Sequence, residues 1–157
     1  MNSPANPIIR RAWAADLDTA TLYSLLRLRV EVFVVERSSA YHELDGLDLA
    51  EGARHIWMEH EGQVICTVRL NESRTANGPE LRLSRLCTTP EFRGQGHTKR
   101  VLQAALAEVG SRPCLVDAYA NMVDLYAEHG FVPDGSETTK EGVARVPLRR
   151  NGTLTSW

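Results

Sequence analysis

The stretch from Leu86 to Lys99 constrains the fold more than any other, because it joins three kinds of local pattern without a linker. An apolar run ends at Thr88, a proline breaks it at Pro90, and an Arg-Gly-Gln-Gly turn leads directly into a helical pattern. This order predicts a strand, a tight loop and the first turn of a helix. The first amides of a helix have no internal partners and lie at the positive end of its dipole, so the junction suits an anion.

The residues around the turn favour a phosphate group as that anion. Gly94 and Gly96 let the backbone approach a phosphate closely, and Arg93, Lys99 and Arg100 add positive charge. The spacing is not that of the P-loop, which requires Gly-Lys-Ser/Thr after four spacer residues, nor that of the three-glycine dinucleotide fingerprint. The alternative is a plain strand-to-helix turn that uses glycine only for its dihedral angles.

The composition indicates a globular protein. A chain of 157 residues has the size of one domain, which we expect to span residues 1–157. Hydrophobic residues make up 43% of the chain and charged residues 24%, and the net charge of −2 gives no general attraction to nucleic acid or to an anionic membrane. We find neither a signal-peptide core nor an apolar segment of membrane-spanning length, and therefore expect a cytoplasmic protein.

The cysteines favour buried thiols over disulfides. They are three in number and never spaced as Cys-x-x-Cys: Cys66, Cys87 and Cys114. All three lie in apolar, strand-like runs, so we expect reduced thiols and no metal site.

Hydrophobic periodicity predicts an α/β fold without repeats or linkers. A first strand is followed by a helix with an N-cap in residues 16–19, and then by a long acidic loop. The order of predicted elements is a strand at 7–15, a helix to Val34, a loop at 36–54, a hairpin of 56–60 with 64–70, a loop at 71–79, a strand at 81–88, a helix to Val109, a strand at 114–116, a helix at 122–129, and a hairpin of 131–132 with 143–148.

Two motifs resemble the general N-acetyltransferase (GNAT) superfamily. Arg93, Gly96 and Thr98 fit its pyrophosphate-loop pattern, Gln/Arg-x-x-Gly-x-Gly/Ala, with Thr98 in place of the usual small residue. Leu125-Tyr126, followed by Gly130-Phe131, resembles its C-terminal motif. The resemblance covers nearly the whole chain. It implies a mixed, mostly antiparallel sheet with helices on both faces and a splay between strands 4 and 5, with the acidic loop replacing a second N-terminal helix.

The resemblance also implies acetyl-CoA as co-substrate, direct transfer to an amine and no metal. Tyr126 matches the tyrosine that protonates the departing thiolate, and main-chain groups of strand 4 hold the pantetheine arm. We read Cys87, in that strand, as a buried thiol rather than a nucleophile. The implied cofactor-binding residues are Leu86, Cys87, Thr88, Arg93, Gly94, Gln95, Gly96, His97, Thr98, Lys99 and Asn121.

The N-terminal half resembles the ElaA-like branch of this superfamily, whose acceptor is an undefined small-molecule or peptide amine. The match lies in Leu26 to Glu36, Tyr41 to Asp48 and Arg54-His55. Acids of the predicted loop either receive a cationic amine or cap turns in a solvated loop. We expect Glu36 and the loop from Tyr41 to Asp48 to line the acceptor mouth opposite the CoA loop. Glu36 is our candidate base, with Glu43 or a water relayed from the acidic loop as alternatives, because Arg82 stands where some members carry a strand-4 glutamate.

A second resemblance, to acyl-homoserine-lactone synthases, rests on the order Arg29, Phe33, Asp45, Asp48 and Arg69. That reading ranks below an N-acyltransferase, because the chain is short and keeps the glycine-rich loop. These residues either contact the acceptor or brace its pocket, and the candidate substrate residues are Arg29, Phe33, Glu43 and Asp45. A non-catalytic CoA-binding or sensory module is the alternative from another class. The sequence leaves the oligomeric state open and is compatible with a homodimer.

Overall fold

Eight strands and three α-helices follow one another in the computed structural model, which describes residues 6–152. The ends of the predicted domain, residues 1–5 and 153–157, lie outside the described residues. The strands are β1 (Ile8–Trp13), β2 (Arg54–His60), β3 (Gln63–Thr75), β4 (Gly78–Thr88), β5 (Cys114–Tyr119), β6 (Val132–Pro133), β7 (Thr138–Lys140) and β8 (Val143–Arg150). The helices are α1 (Thr19–Val30), α2 (His97–Val109) and α3 (Val123–Ala127).

The strands form one mixed sheet, in the order β1-β2-β3-β4-β5-β8, with β6 and β7 both pairing with β8. Only the β4–β5 pair is parallel among the described strands. Helix α1 packs on one face, where Leu25 and Leu28 join a small apolar cluster. Helix α2 covers the other face and buries Val101 and Leu102 in the main core. The predicted mixed, mostly antiparallel sheet with helices on both faces is confirmed.

The N-cap predicted for the first helix is also confirmed. Asp18 precedes α1, and its carboxylate accepts a hydrogen bond of 2.7 Å from the amide of Thr21. The helix continues beyond Val30 as wider, π-helical turns over Glu31–Glu36. The helical path therefore carries Phe33 and Glu36 to the edge of the site described below.

The prediction of a loop at 71–79 is wrong. Strands β3 and β4 continue through this segment and pair in register from Asn71↔Arg82 to Thr75↔Gly78. The segment protrudes beyond the core, so its strands carry mostly exposed polar side chains rather than the apolar alternation that identifies a strand from sequence. Strand β7 was not predicted at all, for the same reason, since its three residues are exposed and polar. Strand β5 is also longer than predicted and continues to Tyr119.

The parallel pair β4–β5 separates after three rows, the last of which is Leu83↔Val116. The cause is a β-bulge in β4, since Ser84 pairs with Arg69 and Cys87 with Thr67, which leaves two residues of β4 opposite one of β3. Arg85 lies in this bulge with a φ of +61°, a left-handed conformation that is uncommon for a residue with a side chain. The predicted splay between strands 4 and 5 is therefore present and begins at the bulge.

Candidate active site

The splay opens two adjoining pockets. The first, the splay pocket, has a volume of about 220 Å³ and reaches from the bulge in β4 to Tyr126 and Arg145. The second, the loop pocket, has a volume of about 240 Å³ and reaches from the end of β4 to the glycine turn before α2. Four residues line both pockets: Phe33, Leu86, Tyr119 and Met122. A ligand held at the glycine turn can therefore extend to the splay.

Tyr126 lies on α3 and forms part of the wall of the splay pocket. Its side chain is buried, and its ring meets the edge of Phe131 at a centroid distance of 5.4 Å. Burial raises the pKa of Tyr126, so the phenol is fully protonated at neutral pH. A protonated hydroxyl at this place has the form required of a proton donor.

The glycine turn before α2 has the geometry of an anion cradle. Gly96 is the N-cap of α2 with a φ of +82°, and Gly94 has a φ of +75°. A Cβ atom at either position would meet no other atom within 4 Å, so the space above the turn is open. The free amides of the first helical turn border this space. The described residues thus fit a pyrophosphate.

Hydrogen bonds hold the turn against the end of β4. The Nε of Arg93 donates to the carbonyl of Thr88 at 2.9 Å. The hydroxyls of Thr88 and Thr98 lie 2.6 Å apart and share a hydrogen bond. This bond gives a structural reason for a threonine where the family pattern has a smaller residue.

At the end of β4, main-chain amides and carbonyls without a partner in the sheet face the splay. The amide of Thr89 donates to the carbonyl of Ile65 in β3, and hydrogen-bonding directions alternate along a strand. Leu86 and Thr88 therefore direct their main-chain groups away from β3. Arg93 occupies the carbonyl of Thr88, so the groups of Leu86 and the amide of Thr88 remain open to a ligand.

Cys87 is buried in the apolar cluster beneath α1 and also lines the loop pocket. Burial raises the pKa of its thiol well above the usual range, which excludes a thiolate nucleophile at neutral pH. Cys66 and Cys114 are likewise buried and unpaired, so the predicted reduced thiols are confirmed for all three cysteines.

Glu36 does not lie where we expected it. Its carboxylate accepts two hydrogen bonds of 2.7 Å from the guanidinium of Arg93, and it lines the loop pocket. Glu36 is thus on the side of the glycine turn and not across from it. The hydrogen bonds from Arg93 lower the pKa of Glu36, which weakens it as a base. We therefore do not retain Glu36 as the candidate base.

The acids of the loop from Tyr41 to Asp48 are bonded to arginines rather than free. Arg29 is fully buried and donates to Glu43 at 2.6 Å and to Asp48. Arg69 donates to Asp45 and to Asp48, each at 2.9 Å. Arg85, the bulge residue, donates to Glu43 at 2.7 Å. We call this set the charge network: Arg29, Arg69, Arg85, Glu43, Asp45 and Asp48.

The charge network corrects two expectations. Three arginines balance three carboxylates, so the loop does not present an acidic mouth to a cationic amine. Arg29 and Glu43 are buried and cannot contact an acceptor directly. They brace the pocket, as the alternative interpretation held. Asp45 and Phe33 do line the splay pocket.

The remaining predicted residues lie at the glycine turn with different exposures. His97 is buried against Phe92, with ring centroids 6.1 Å apart, so only its main chain can serve a ligand. Lys99 is exposed, with its Nζ 3.5 Å from a carboxylate oxygen of Glu128. Asn121 is exposed and lines the loop pocket.

Tyr41 lines the splay pocket, as expected for its loop, but sequence reasoning missed three polar side chains that β5 and β8 contribute to this pocket: Asp117, Tyr119 and Arg145. The ring of Tyr119 lies between two guanidinium groups, at 4.0 Å from Arg37 and 5.0 Å from Arg145. Its only signal was its place seven residues before Tyr126, where an asparagine is common in the family. No local pattern marks Asp117 or Arg145.

Residues 6–152 contain neither a metal-binding cluster nor a membrane-spanning helix. Histidine, cysteine and acidic side chains form no group of three suited to a metal ion there. None of the helices in that range has the length and apolar character needed to cross a membrane.

Comparisons with known proteins place these features in a family. The family described as acetyltransferase (GNAT) domain matches residues 21–151. The UPF0039 protein Rv2851c of Mycobacterium tuberculosis (strain ATCC 25618 / H37Rv) is 52% identical over 146 residues, which cover 92% of this chain and 94% of the relative.

Solved structures of similar fold are consistent with this family. The crystal structure of an acyl-CoA N-acyltransferase from Pseudomonas aeruginosa superposes with a TM-score of 0.87 at 30% identity, covering 92% of this chain and 99% of the other. The crystal structure of Escherichia coli ElaA gives a TM-score of 0.86 over the same shares of the chains, and its 23% identity supports the fold alone. By sequence, ElaA of E. coli K12 is 26% identical over 140 residues, 87% of this chain and 91% of ElaA.

Proposed function

Because the chain belongs to the GNAT acetyltransferase family, a family of acyl-CoA-dependent N-acyltransferases, we propose that it transfers an acetyl group from acetyl-CoA directly to an amine. One observation carries this proposal. The splay pocket brings the buried phenol of Tyr126 to the unpaired main chain of β4, and it adjoins the pocket of the glycine turn. Donor, acceptor and proton source thus have places within one cleft.

Acetyl-CoA, when bound, supplies a thioester carbonyl that an amine can attack. The amides of residues 94–98 bind its pyrophosphate, aided by the positive end of α2. The main chain of Leu86 and Thr88 orients the pantetheine arm as an added strand would be oriented. An amide of β4 at the bulge stabilises the negative charge that develops on the carbonyl oxygen.

Tyr126 donates its proton to the leaving sulfur. Burial raises the pKa of Tyr126, which keeps the phenol protonated before the reaction but also makes it a weaker acid, so the transfer depends on the negative charge that develops on the adjacent sulfur. The acceptor occupies the splay pocket between the β4 bulge and Tyr119. Positioning the amine against the carbonyl supplies a large part of the acceleration, and the proton that the amine loses on forming the amide passes to water in the open cleft. The charge network serves this step by holding the bulge, and so accounts for the charged residues shared with the lactone synthases.

An amine-panel assay tests the proposal. The protein is incubated with acetyl-CoA and amines of different charge and size, and released CoA is measured with a thiol reagent. The buried cysteines keep the background of the folded protein low. Amine-dependent release is expected. Tight binding of acetyl-CoA by calorimetry, without release to any amine, would instead support the CoA-binding or sensory module.

Replacement of Gly96 by valine is expected to weaken acetyl-CoA binding by more than about tenfold, or 1.4 kcal/mol. The side chain would enter the open space above the turn and block the approach of a pyrophosphate. Calorimetry measures the affinity. Gly62→Val is the matched control, because Gly62 has nearly the same φ, +80°, and equally open surroundings in the β2–β3 hairpin. Equal affinity of the Gly96 variant and the control would remove the turn from the site.

Replacement of Glu36 by glutamine is expected to leave kcat and its pH profile nearly unchanged. Arg93 already lowers the pKa of Glu36, and the carboxylate lies on the side of the glycine turn. Loss of a true general base costs about 10²–10⁴-fold. Steady-state rates from pH 6 to pH 9 with a fixed amine measure the effect. A loss of that size, with acetyl-CoA affinity preserved, would return Glu36 to the role of base.

A further inference from the structure

The charges that remain on the wall of the splay pocket are mainly positive. The charge network is neutral by itself, so it contributes no net attraction to a ligand. Beyond the network, the pocket is lined by Arg82, Arg145 and Asp117. Lys140 adds a further positive charge, with its Nζ 3.0 Å from the carboxylate of Asp117. Two of these three cations thus have no carboxylate to match them.

Arg145 is mostly buried but incompletely hydrogen-bonded, since its Nε donates to no acceptor among the described residues. The nearest carboxylate oxygen, on Asp117, is 3.9 Å from its Nη1, beyond hydrogen-bond distance, and Lys140 holds that carboxylate more closely. A buried guanidinium donor without a partner is costly, and an anion that enters the pocket removes this cost.

Arg82 also lines the splay pocket, from β4, and is exposed. Within residues 6–152 it makes no ion pair within 4.0 Å. The nearest acid on the same face of β4, Glu80, is bonded to Arg149 at 3.2 Å. Arg82 therefore adds positive potential to the same pocket.

We infer that the acceptor is a small amine that also carries a carboxylate, such as an amino acid, and that Arg145 binds this carboxylate while Arg82 supports it electrostatically. The inference rests on the proposed function and names its acceptor class. A volume of about 220 Å³ accommodates a ligand of about amino-acid size. Phe33, Leu47 and Met122 supply apolar contacts in the same pocket, so an apolar side chain suits it.

Matched acceptors test the inference. CoA release is measured with phenylalanine and leucine, and with the amide of each, which keeps the amine and side chain but lacks the carboxylate. We expect kcat/KM to be at least about tenfold higher for the acids, the effect of one charge-assisted hydrogen bond. The amine of an amide is less basic and more often unprotonated, so intrinsic reactivity cannot produce this preference. Ethanolamine and phosphoethanolamine form a second pair of acceptors. If the protein prefers phosphoethanolamine to ethanolamine but does not prefer the amino acids to their amides, the carboxylate assignment is overturned.

Variants of Arg145 and Arg82 test which residue binds the carboxylate. Arg145→Met is expected to remove most of the acid-over-amide preference, Arg145→Lys to restore part of it, and Arg82→Met to reduce it less. Arg74→Met is the charge-matched control, since Arg74 is exposed on β3 and lines none of the pockets described above. Thermal unfolding confirms that each variant is folded. An unchanged preference in the folded Arg145→Met variant would overturn the assignment.

A binding measurement separates this inference from the proposed function. Calorimetry with the wild-type protein and CoA compares N-acetylphenylalanine with its amide, so no turnover is needed. Binding of the acid at least about tenfold more tightly supports the inference. Equal binding, or no binding of either, overturns it. Amine-dependent CoA release without preference for the acids would overturn the inference and leave the proposed function intact.

Discussion

Replacement of Tyr126 by phenylalanine is expected to lower kcat by about 10²–10⁴-fold, the usual contribution of a general acid. The ring still packs against Phe131, so the fold and the binding of acetyl-CoA are expected to be preserved. Only the proton for the leaving sulfur is lost, and this proton matters when charge develops in the transition state. The loss should therefore appear in kcat, with little change in the dissociation constant of acetyl-CoA.

The matched control for this variant is Tyr23→Phe, because Tyr23 is exposed on α1 and lines none of the pockets described above. Single-turnover kinetics establish that the chemical step is being measured. If chemistry limits the rate and the Tyr126→Phe variant still turns over at nearly the wild-type rate, Tyr126 is not the proton donor.

Replacement of Arg29 by methionine is expected to destabilise the protein by about 3–5 kcal/mol, because the buried carboxylates of Glu43 and Asp48 each lose one of the two arginines that hold them. Glu43 is 3% exposed and Asp48 is 7% exposed, so water cannot take the place of the guanidinium. Urea unfolding measures the change. Arg27→Met is the control on the same helix, since its ion pair with Glu31 is exposed and such pairs contribute little. Equal stability of the two variants would show that the network adds nothing to the fold.

The same variant predicts a pH dependence. Burial alone would raise the pKa values of Asp45 and Asp48, but hydrogen bonds from Arg69, and for Asp48 also from Arg29, outweigh it. The pKa of Asp45 is lowered to about 2, and that of Asp48 is lowered as well. Carboxylates with lowered folded-state pKa values stabilise the fold above their unfolded value, about 3.9, and lose this contribution as pH falls. Arg29 holds Asp48 but not Asp45, so the stability gap between wild type and Arg29→Met should narrow, through Asp48, as the pH falls below about 4. A constant gap would contradict the network's role.

The parts of the fold that sequence predicted are those encoded in short patterns. The glycine turn at 94–96, the N-cap at Asp18 and the apolar faces of the helices each depend on neighbours within a few residues, and all three are present. The order of these elements, together with Tyr126 and the Gly130-Phe131 pair that follows it, was enough to indicate the family and the splayed sheet. The β3–β4 extension escaped prediction because exposed strands have no apolar alternation to mark them.

Sequence by itself thus determined the glycine turn, the strand and helix order and the residues that carry the family resemblance, because these follow from local backbone preferences and from periodic burial. Only the tertiary structure decided which charges meet. Arg93 binds Glu36 across 57 positions, and Arg69 binds Asp45 across 24. A sequence shows that acids and arginines are present, but their Coulomb energies depend on distances that only the folded chain sets. For this reason the loop from Tyr41 to Asp48, which looks acidic in the sequence, belongs to a charge network without net charge. For the same reason, the unpaired charge that lines the splay pocket is positive.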